Sequence, residues 1–212
     1  WVFEDWTLSP ENAGTGRPTI VAELREGVTF SDGTPLTAED VKFTVEYVTE
    51  QGTAGTVAAS QFESVESVEV DSSGGTTVSY FLSREDNAWF TSILGNVVLP
   101  KHVWENVSDY RAYAPEESPE GLVGSGPMTL ADRDPGNWLE LDMRPREELW
   151  QNDAADWLDD DGPFVDGHRI EVFGSRTALE RALLDGGIDV GYTGDGVSVD
   201  RAVEATRRES LE

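Results

Sequence analysis

The apolar positions along this chain change period several times, and each change marks an element. Pro18–Leu24 and Val28–Phe30 alternate or run apolar over short stretches and read as strands. Ser31-Asp32-Gly33-Thr34-Pro35 is turn chemistry, with Gly33 free to take a positive φ. From Ala38 to about Glu50 the period becomes helical: Val41, Val45 and Val48 form one stripe, with Phe43 and Tyr47 beside it. Thr37, three residues ahead of Asp40, is a helix N-terminus signal. Small residues from Gly52 to Thr56 run toward a helical turn before Phe62. Val65, Val68 and Val70, then Val78, Tyr80 and Leu82, flank Asp71–Gly75 as a hairpin.

The second half is less regular. Arg84–Leu94 reads as helix, Val97–Pro100 as a short buried strand or turn, and Pro100 opens a helix through Val107. Ala114–Gly121, with Pro115 and Pro119 among glutamates, is loop. Pro127–Ala131 and Trp138–Met143 form a second hairpin around Asp132–Asn137. Asp153–Asp166 holds six aspartates and few apolar residues, an acidic loop or insertion that spans residues 151–167 at its widest. His168–Phe173, Thr177–Leu184 and Ile188–Tyr192 read as a β-α-β unit, which calls for a parallel or mixed sheet. Asp200–Arg208 reads as one more helix. The expected class is α/β: a mixed β-sheet with flanking helices, plus β-hairpins.

Composition narrows the functions open to this fold. The 212 residues suffice for one large domain or two small ones, and the 38% apolar content supplies a core. The formal net charge of −27 comes from 42 acidic residues, and Lys42 and Lys101 are the only lysines. Acid spread over the whole chain with so little lysine suits molar salt, where a Debye length of about 3 Å quiets self-repulsion, and points to a halophile. Nucleic acid is excluded as a partner for want of a basic footprint. Cysteine is absent, which removes disulfides, thiolate metal sites and cysteine nucleophiles. No apolar run reaches the length of a membrane span, and no signal segment opens the chain.

Enzymatic motifs are equally scarce. His102 and His168 are the only histidines, and Gly124-Ser125-Gly126 lacks the spacing of a nucleophile elbow. Asp159-Asp160-Asp161-Gly162 lacks the alternating ligands of a calcium loop, so a solvated acidic loop is the plainer reading. Neither phosphate-binding glycine pattern occurs. No catalytic residue, metal ligand or cofactor is assigned. Trp89, Trp104, Trp138, Trp150 and Trp157 could stack on a ligand, although Trp104 and Trp138 suit a core better.

The run Leu24-Arg25-Glu26-Gly27-Val28-Thr29-Phe30-Ser31-Asp32-Gly33-Thr34-Pro35-Leu36-Thr37-Ala38-Glu39-Asp40-Val41 resembles the signature of the family 5 extracellular solute-binding proteins, the peptide, nickel and oligosaccharide receptors of ABC importers. Further segments match in the family's order: Tyr80–Ser83, Leu99-Pro100-Lys101-His102-Val103-Trp104, Gly124-Ser125-Gly126-Pro127-Met128, and Ala182–Val190 with Gly186 and Asp189. Arg144-Pro145-Arg146-Glu147-Glu148-Leu149-Trp150 departs from the family's "N-x-x-Y-W".

The resemblance implies a type II periplasmic-binding-protein-like lobe. Residues 1–212 would then be most of the first lobe of a two-lobe clamp, with the second lobe and the returning C-terminal segment outside the chain. It implies a non-catalytic receptor for a small solute, a peptide before an oligosaccharide or nickel chelate, that docks on the permease subunits of an ABC transporter. The receptor would be held at the extracellular face by an N-terminal anchor outside the chain. Thr56, Gln61, Phe62, Trp89, Gly95, Asn96 and Ser125 become the expected ligand contacts. Gly27, Asp32, Gly33, Pro35, Asp40, Pro100, Lys101, Gly124, Gly126, Pro127, Gly186 and Asp189 become the residues that hold the fold. The contrasting expectations are a hydrolase and a structural or adhesive surface domain.

Overall fold

The computed structural model describes residues 2–9, 17–52, 57–71, 75–115, 122–145, 148–149 and 165–192. Residues 151–164 of the acidic stretch, the region of the last expected helix, and Thr56 lie outside them. Two compact units emerge: Trp1–Leu130 with Leu141–Gly167, and Ala131–Glu140 with His168–Glu212.

The first unit is built on a four-stranded sheet of order β1-β2-β4-β3, from β1 (Phe3–Ser9), β2 (Thr19–Leu24), β3 (Val65–Val70) and β4 (Thr77–Leu82). Every pairing in it is antiparallel. Helix α1 (Ala38–Gln51) lies against β3 and β4. Its valine stripe is buried as the period requires, and Gly52 ends it at φ 69°. The core gathers Ile20, Ala22 and Leu24 of β2, Val78, Tyr80 and Leu82 of β4, and Val28, Phe30, Val41 and Val45.

β1 has no counterpart in the sequence reading. Its side chains are mostly exposed, as on an edge strand, and a register shift between Phe3 and Asp5 breaks the apolar alternation. Val28–Phe30 is not a strand. The chain doubles back at once, with Phe30 N–H donating to Thr34 O (2.9 Å), Leu36 N–H to Val28 O (2.9 Å), and a single bridge from Thr29 to Pro35. Pro35 has no N–H with which to extend the ladder.

Two helices are shorter than their patterns suggest. Within Arg84–Leu94 only α3 (Trp89–Ser92) is helical. Asp86 accounts for the late start: its carboxylate accepts from Ser64 Oγ (2.7 Å) and from Ala88 N–H (2.8 Å), holding the preceding residues in a turn. The short α2 (Val57–Gln61) precedes Phe62. Pro100 does open a helix, α4, but it covers only Lys101–Trp104. Beyond it Val107 O accepts the Tyr47 hydroxyl (2.8 Å) instead of continuing a helical ladder. Val97–Pro100 is neither strand nor uniformly buried, since Val97 is exposed.

The second sheet has the order β5-β6-β7, from β5 (Met128–Asp134), β6 (Trp138–Met143) and β7 (Gly167–Glu171). Helix α5 (Arg176–Leu184) follows, its N-cap Ser175 Oγ accepting from Ala178 N–H at 3.2 Å. Ile188–Tyr192 forms no strand, so the β-α-β unit is not completed within the described residues. Gly191 instead packs against the Leu179 side chain, while Val190 and Tyr192 point into solvent.

Candidate functional site

Several of the signature residues take dihedrals or make bonds that account for their type, while Gly124 and Gly126 have neither a positive φ nor a neighbour that a Cβ would meet. Gly27 and Gly33 sit at φ 76° and 85°, where a side chain would be strained. Asp32 closes the tight turn by accepting from Thr34 N–H at 2.9 Å. Its other oxygen lies 2.7 Å from His102 Nε2 on α4. Burial alone would raise the Asp32 carboxyl, but the hydrogen bonds from Thr34 and His102, with the histidine's charge, together hold it below the ordinary range.

Asp40 is the deeper junction. One carboxylate oxygen accepts from Thr37 N–H (2.9 Å) and Thr37 Oγ (2.8 Å). The other accepts from Lys101 N–H (2.9 Å) at the start of α4. Thr44, one turn on, donates to Asp40 O (2.7 Å) and accepts from Leu99 N–H (2.8 Å). Lys101 Nζ reaches Glu39 at 3.6 Å. The first signature segment and the Leu99–Trp104 segment, some sixty residues apart, thus form one hydrogen-bonded block.

The Gly124–Pro127 turn joins that block from another side. Ser31 N–H donates to Gly124 O (2.9 Å) and Arg144 N–H to Pro127 O (2.9 Å). The buried Arg144 guanidinium donates to Gly126 O (3.3 Å) and, at a long 3.5 Å, to Phe30 O. Its Nε is buried without a hydrogen-bond partner, with Glu148 3.7 Å away. Sequence reading marked this position only as a departure from the family pattern; nothing there signalled a buried arginine. Gly186 caps α5 at φ 70°, with Gly187 N–H donating to Ala182 O at 2.8 Å. Asp189 lies exposed beyond it.

Of the expected ligand contacts, the structure brings Gln61 and Asn96 together. Asn96 Nδ2 donates to Gln61 Oε1 at 2.7 Å and to Ser92 O at 3.2 Å, while Asn96 Oδ1 accepts from Val97 N–H at 3.2 Å. Gln61 is exposed at the end of α2, and Asn96 is half-buried. Gly95 is required for close packing: a Cβ there would meet Thr91 O at 2.4 Å. Trp89 is half-buried at the head of α3 and meets the Phe90 ring edge-on, centroids 5.8 Å apart. Phe62 belongs to the core at 3% exposure. Ser125 sits half-buried on the turn bonded to Ser31 and Arg144. Sequence spacing could not show that Gln61 meets Asn96, because 35 residues separate them.

A separate groove of about 470 Å³ runs along α4 and the segment after it, lined by His102, Val103, Asn106, Val107, Asp109 and Tyr113 among others. Trp104 meets Tyr47 and Tyr113 edge-on behind it. Burial, and then the charge of Asp109, raises the Tyr47 hydroxyl above its ordinary pKa. Among the described residues no group of three or more histidine or acidic side chains is placed to hold a metal ion, and no helix is long and apolar enough to cross a membrane.

A four-stranded antiparallel sheet packed by helix α1, with a separate three-stranded sheet, is a mixed α/β architecture like that of the periplasmic-binding-protein-like solute-binding proteins. Residues 2–206 match the family model described as bacterial extracellular solute-binding proteins, family 5 Middle, and the chain belongs to that family. It is 30% identical over 121 residues to the oligopeptide-binding protein AppA of Bacillus subtilis, covering 57% of this chain and 22% of AppA. AppA's structure in complex with a nonapeptide superposes with a TM-score of 0.65 at 23% identity, over 89% of this chain and 34% of that one. NikZ of Campylobacter jejuni, in complex with Ni(L-His), gives 0.67 at 21% identity, over 89% and 33%. The chain spans about a fifth of the length of the curated relatives it matches and about a third of these solved chains.

Proposed function

We propose that this chain is part of the first lobe of a receptor that captures a small solute outside the cell and delivers it to an ABC importer. Family membership over residues 2–206 carries this reading. The Gln61–Asn96 pair, with Gln61 exposed and Asn96 half-buried, is consistent with a surface that meets ligand. Such receptors work by capture: the lobes close, the ligand is desolvated, and the closed form docks on the permease. Peptides lead as the substrate class, since AppA is named for oligopeptides and its structure holds a nonapeptide. Nickel chelates and oligosaccharides follow. Gln61, Asn96, Gly95, Trp89, Thr56 and Ser125 are the proposed contacts, with Phe62 as their support. The acidic surface suits a halophile, and an N-terminal anchor would hold the receptor at the membrane's outer face.

Thermal shift of the complete gene product in molar KCl tests this, against pools of peptides, oligosaccharides and nickel chelates. A ligand at 100 times its Kd adds about 2.7 kcal/mol of stability. A shift with the peptide pool supports the proposal. A well-folded product that no pool shifts overturns it in favour of a structural or adhesive surface domain.

A further inference from the structure

Among the described residues Arg144 is the buried cation, its side chain 4% exposed. Taking a guanidinium out of water is costly unless its donors are met and its charge is countered. The protein's own groups do neither in full. Gly126 O and Phe30 O accept from the two Nη atoms at 3.3 and 3.5 Å, both past the ordinary range, and both acceptors are neutral. The buried Nε donates to nothing. Glu148 stands 3.7 Å from that Nε, outside hydrogen-bond distance, with its side chain 52% exposed. A carboxylate so far into water counters a buried charge only weakly.

We infer that the Nε edge of Arg144 is a binding site for a small monovalent anion, chloride in the medium that the acidic composition suits. The two carbonyls hold the Nη end of the fork, so the unmet donor and the uncountered charge lie together at Nε. One charge-assisted hydrogen bond there answers both. A sulfate or phosphate needs more donors than this edge offers, and it would set a second negative charge beside Glu148. A halide has no fixed lone-pair directions to satisfy. The half-exposed Glu148 is the part that gives way, its carboxylate turning to water as the anion takes the place at Nε. Gly126 and Pro127 beside the guanidinium are exposed, and a Cβ at Gly124 or Gly126 would meet no heavy atom within 4 Å, so the turn is bare on its outer side. High salt favours the site. A buried contact pair is screened far less than surface charges are, and at 1 M chloride a site with a Kd of about 0.1 M is about nine-tenths filled. The anion would complete the clamp by which Arg144 ties the Gly124–Pro127 turn to Phe30, so salt would act on this chain by occupancy as well as by screening.

The test has two arms, both on the complete gene product. Crystals grown or soaked in 1 M KBr should show an anomalous peak in contact with Arg144 Nε, with the Glu148 carboxylate turned away; no peak there overturns the site. In solution, chloride is replaced stepwise by gluconate at constant ionic strength, gluconate being too bulky for a buried donor. The parent's melting temperature should fall by about 2–4 °C. Arg144→Met should lose that anion-specific shift. Glu148→Gln should keep it and reach half of it at a lower chloride concentration than the parent, because the competing carboxylate is gone. Should Arg144→Met not fold, the bromide map and Glu148→Gln still decide. A Glu148→Gln variant that loses the shift makes Glu148 itself the counter-charge and overturns the proposal. A bromide peak without any chloride-specific shift in the parent means binding at crystal concentration only, and overturns the clamp.

Discussion

Replacing Asp40 by asparagine should destabilise the chain far more than an isosteric change suggests. The Asp40 carboxylate meets hydrogen-bond donors on both sides: Thr37 N–H and Oγ at 2.9 and 2.8 Å, and Lys101 N–H at 2.9 Å. The residue is 6% exposed, so water replaces little of this. Asparagine offers one acceptor and one donor. If its oxygen faces Thr37, its NH2 confronts the Lys101 N–H; turned around, it confronts Thr37. Either way one donor is left unmet at a helix start, a loss of about 2 kcal/mol for a buried group. That agrees with the range of about 0.5–2 kcal/mol for a lost cap. Urea unfolding in 1 M KCl, followed by tryptophan fluorescence, reads the effect. With a slope of about 2 kcal/mol per molar urea, the midpoint should fall by about 1 M with the slope unchanged. Glu39→Gln serves as the control, because its contact with Lys101 Nζ is a 3.6 Å pair at the surface, worth under about 0.5 kcal/mol. An Asp40→Asn midpoint within about 0.2 M of the parent, or one no lower than that of Glu39→Gln, would refute the junction.

Gly95→Ala should lower stability by about 1–3 kcal/mol, since its Cβ would meet Thr91 O at 2.4 Å; an unchanged melting temperature would show that the α3 turn relaxes at no cost. Asp32 is held below its ordinary value of 3.8, so its contribution is present above about pH 4 and is lost as pH falls through the folded value. Stability curves of parent and Asp32→Asn, measured from pH 7 downward, should therefore converge in acid; curves that stay parallel would contradict the assignment. Arg144→Met keeps the apolar stem and removes an Nε without a hydrogen-bond partner, but it also takes the donors from Gly126 O and Phe30 O, so it should cost about 1–2 kcal/mol, against about 2–4 for Arg144→Ala. Equal losses in a urea titration would mean that the charge, and not the packing, holds the Gly124–Pro127 turn.

What the sequence alone determined about this protein is what local chemistry dictates. Helix α1 was legible because three valines at helical spacing follow Thr37 and Asp40. The hairpin of β3 and β4 was legible because alternating apolar residues flank a glycine-rich turn. Gly33 followed from turn chemistry, and Gly27 and Gly186 from the family resemblance; all three adopt positive φ. Tertiary structure decided whatever depends on a distant partner. β1 exists because β2 offers it a ladder, although a register shift hides its alternation. Ile188–Tyr192 has a strand's composition but no strand beside it among the described residues, and composition cannot supply a ladder. α3 begins late because the Asp86 carboxylate is tied to Ser64, 22 residues away. Arg144 lay in a segment that read only as a departure from the family pattern; its burial goes with the carbonyls of Phe30 and Gly126 converging there. Gln61 and Asn96 could be chosen one at a time from sequence. The orientation of the Asn96 amide, with Nδ2 toward Ser92 and Oδ1 toward Val97, follows only from the tertiary fold, because a backbone carbonyl cannot donate and a backbone amide hydrogen cannot accept.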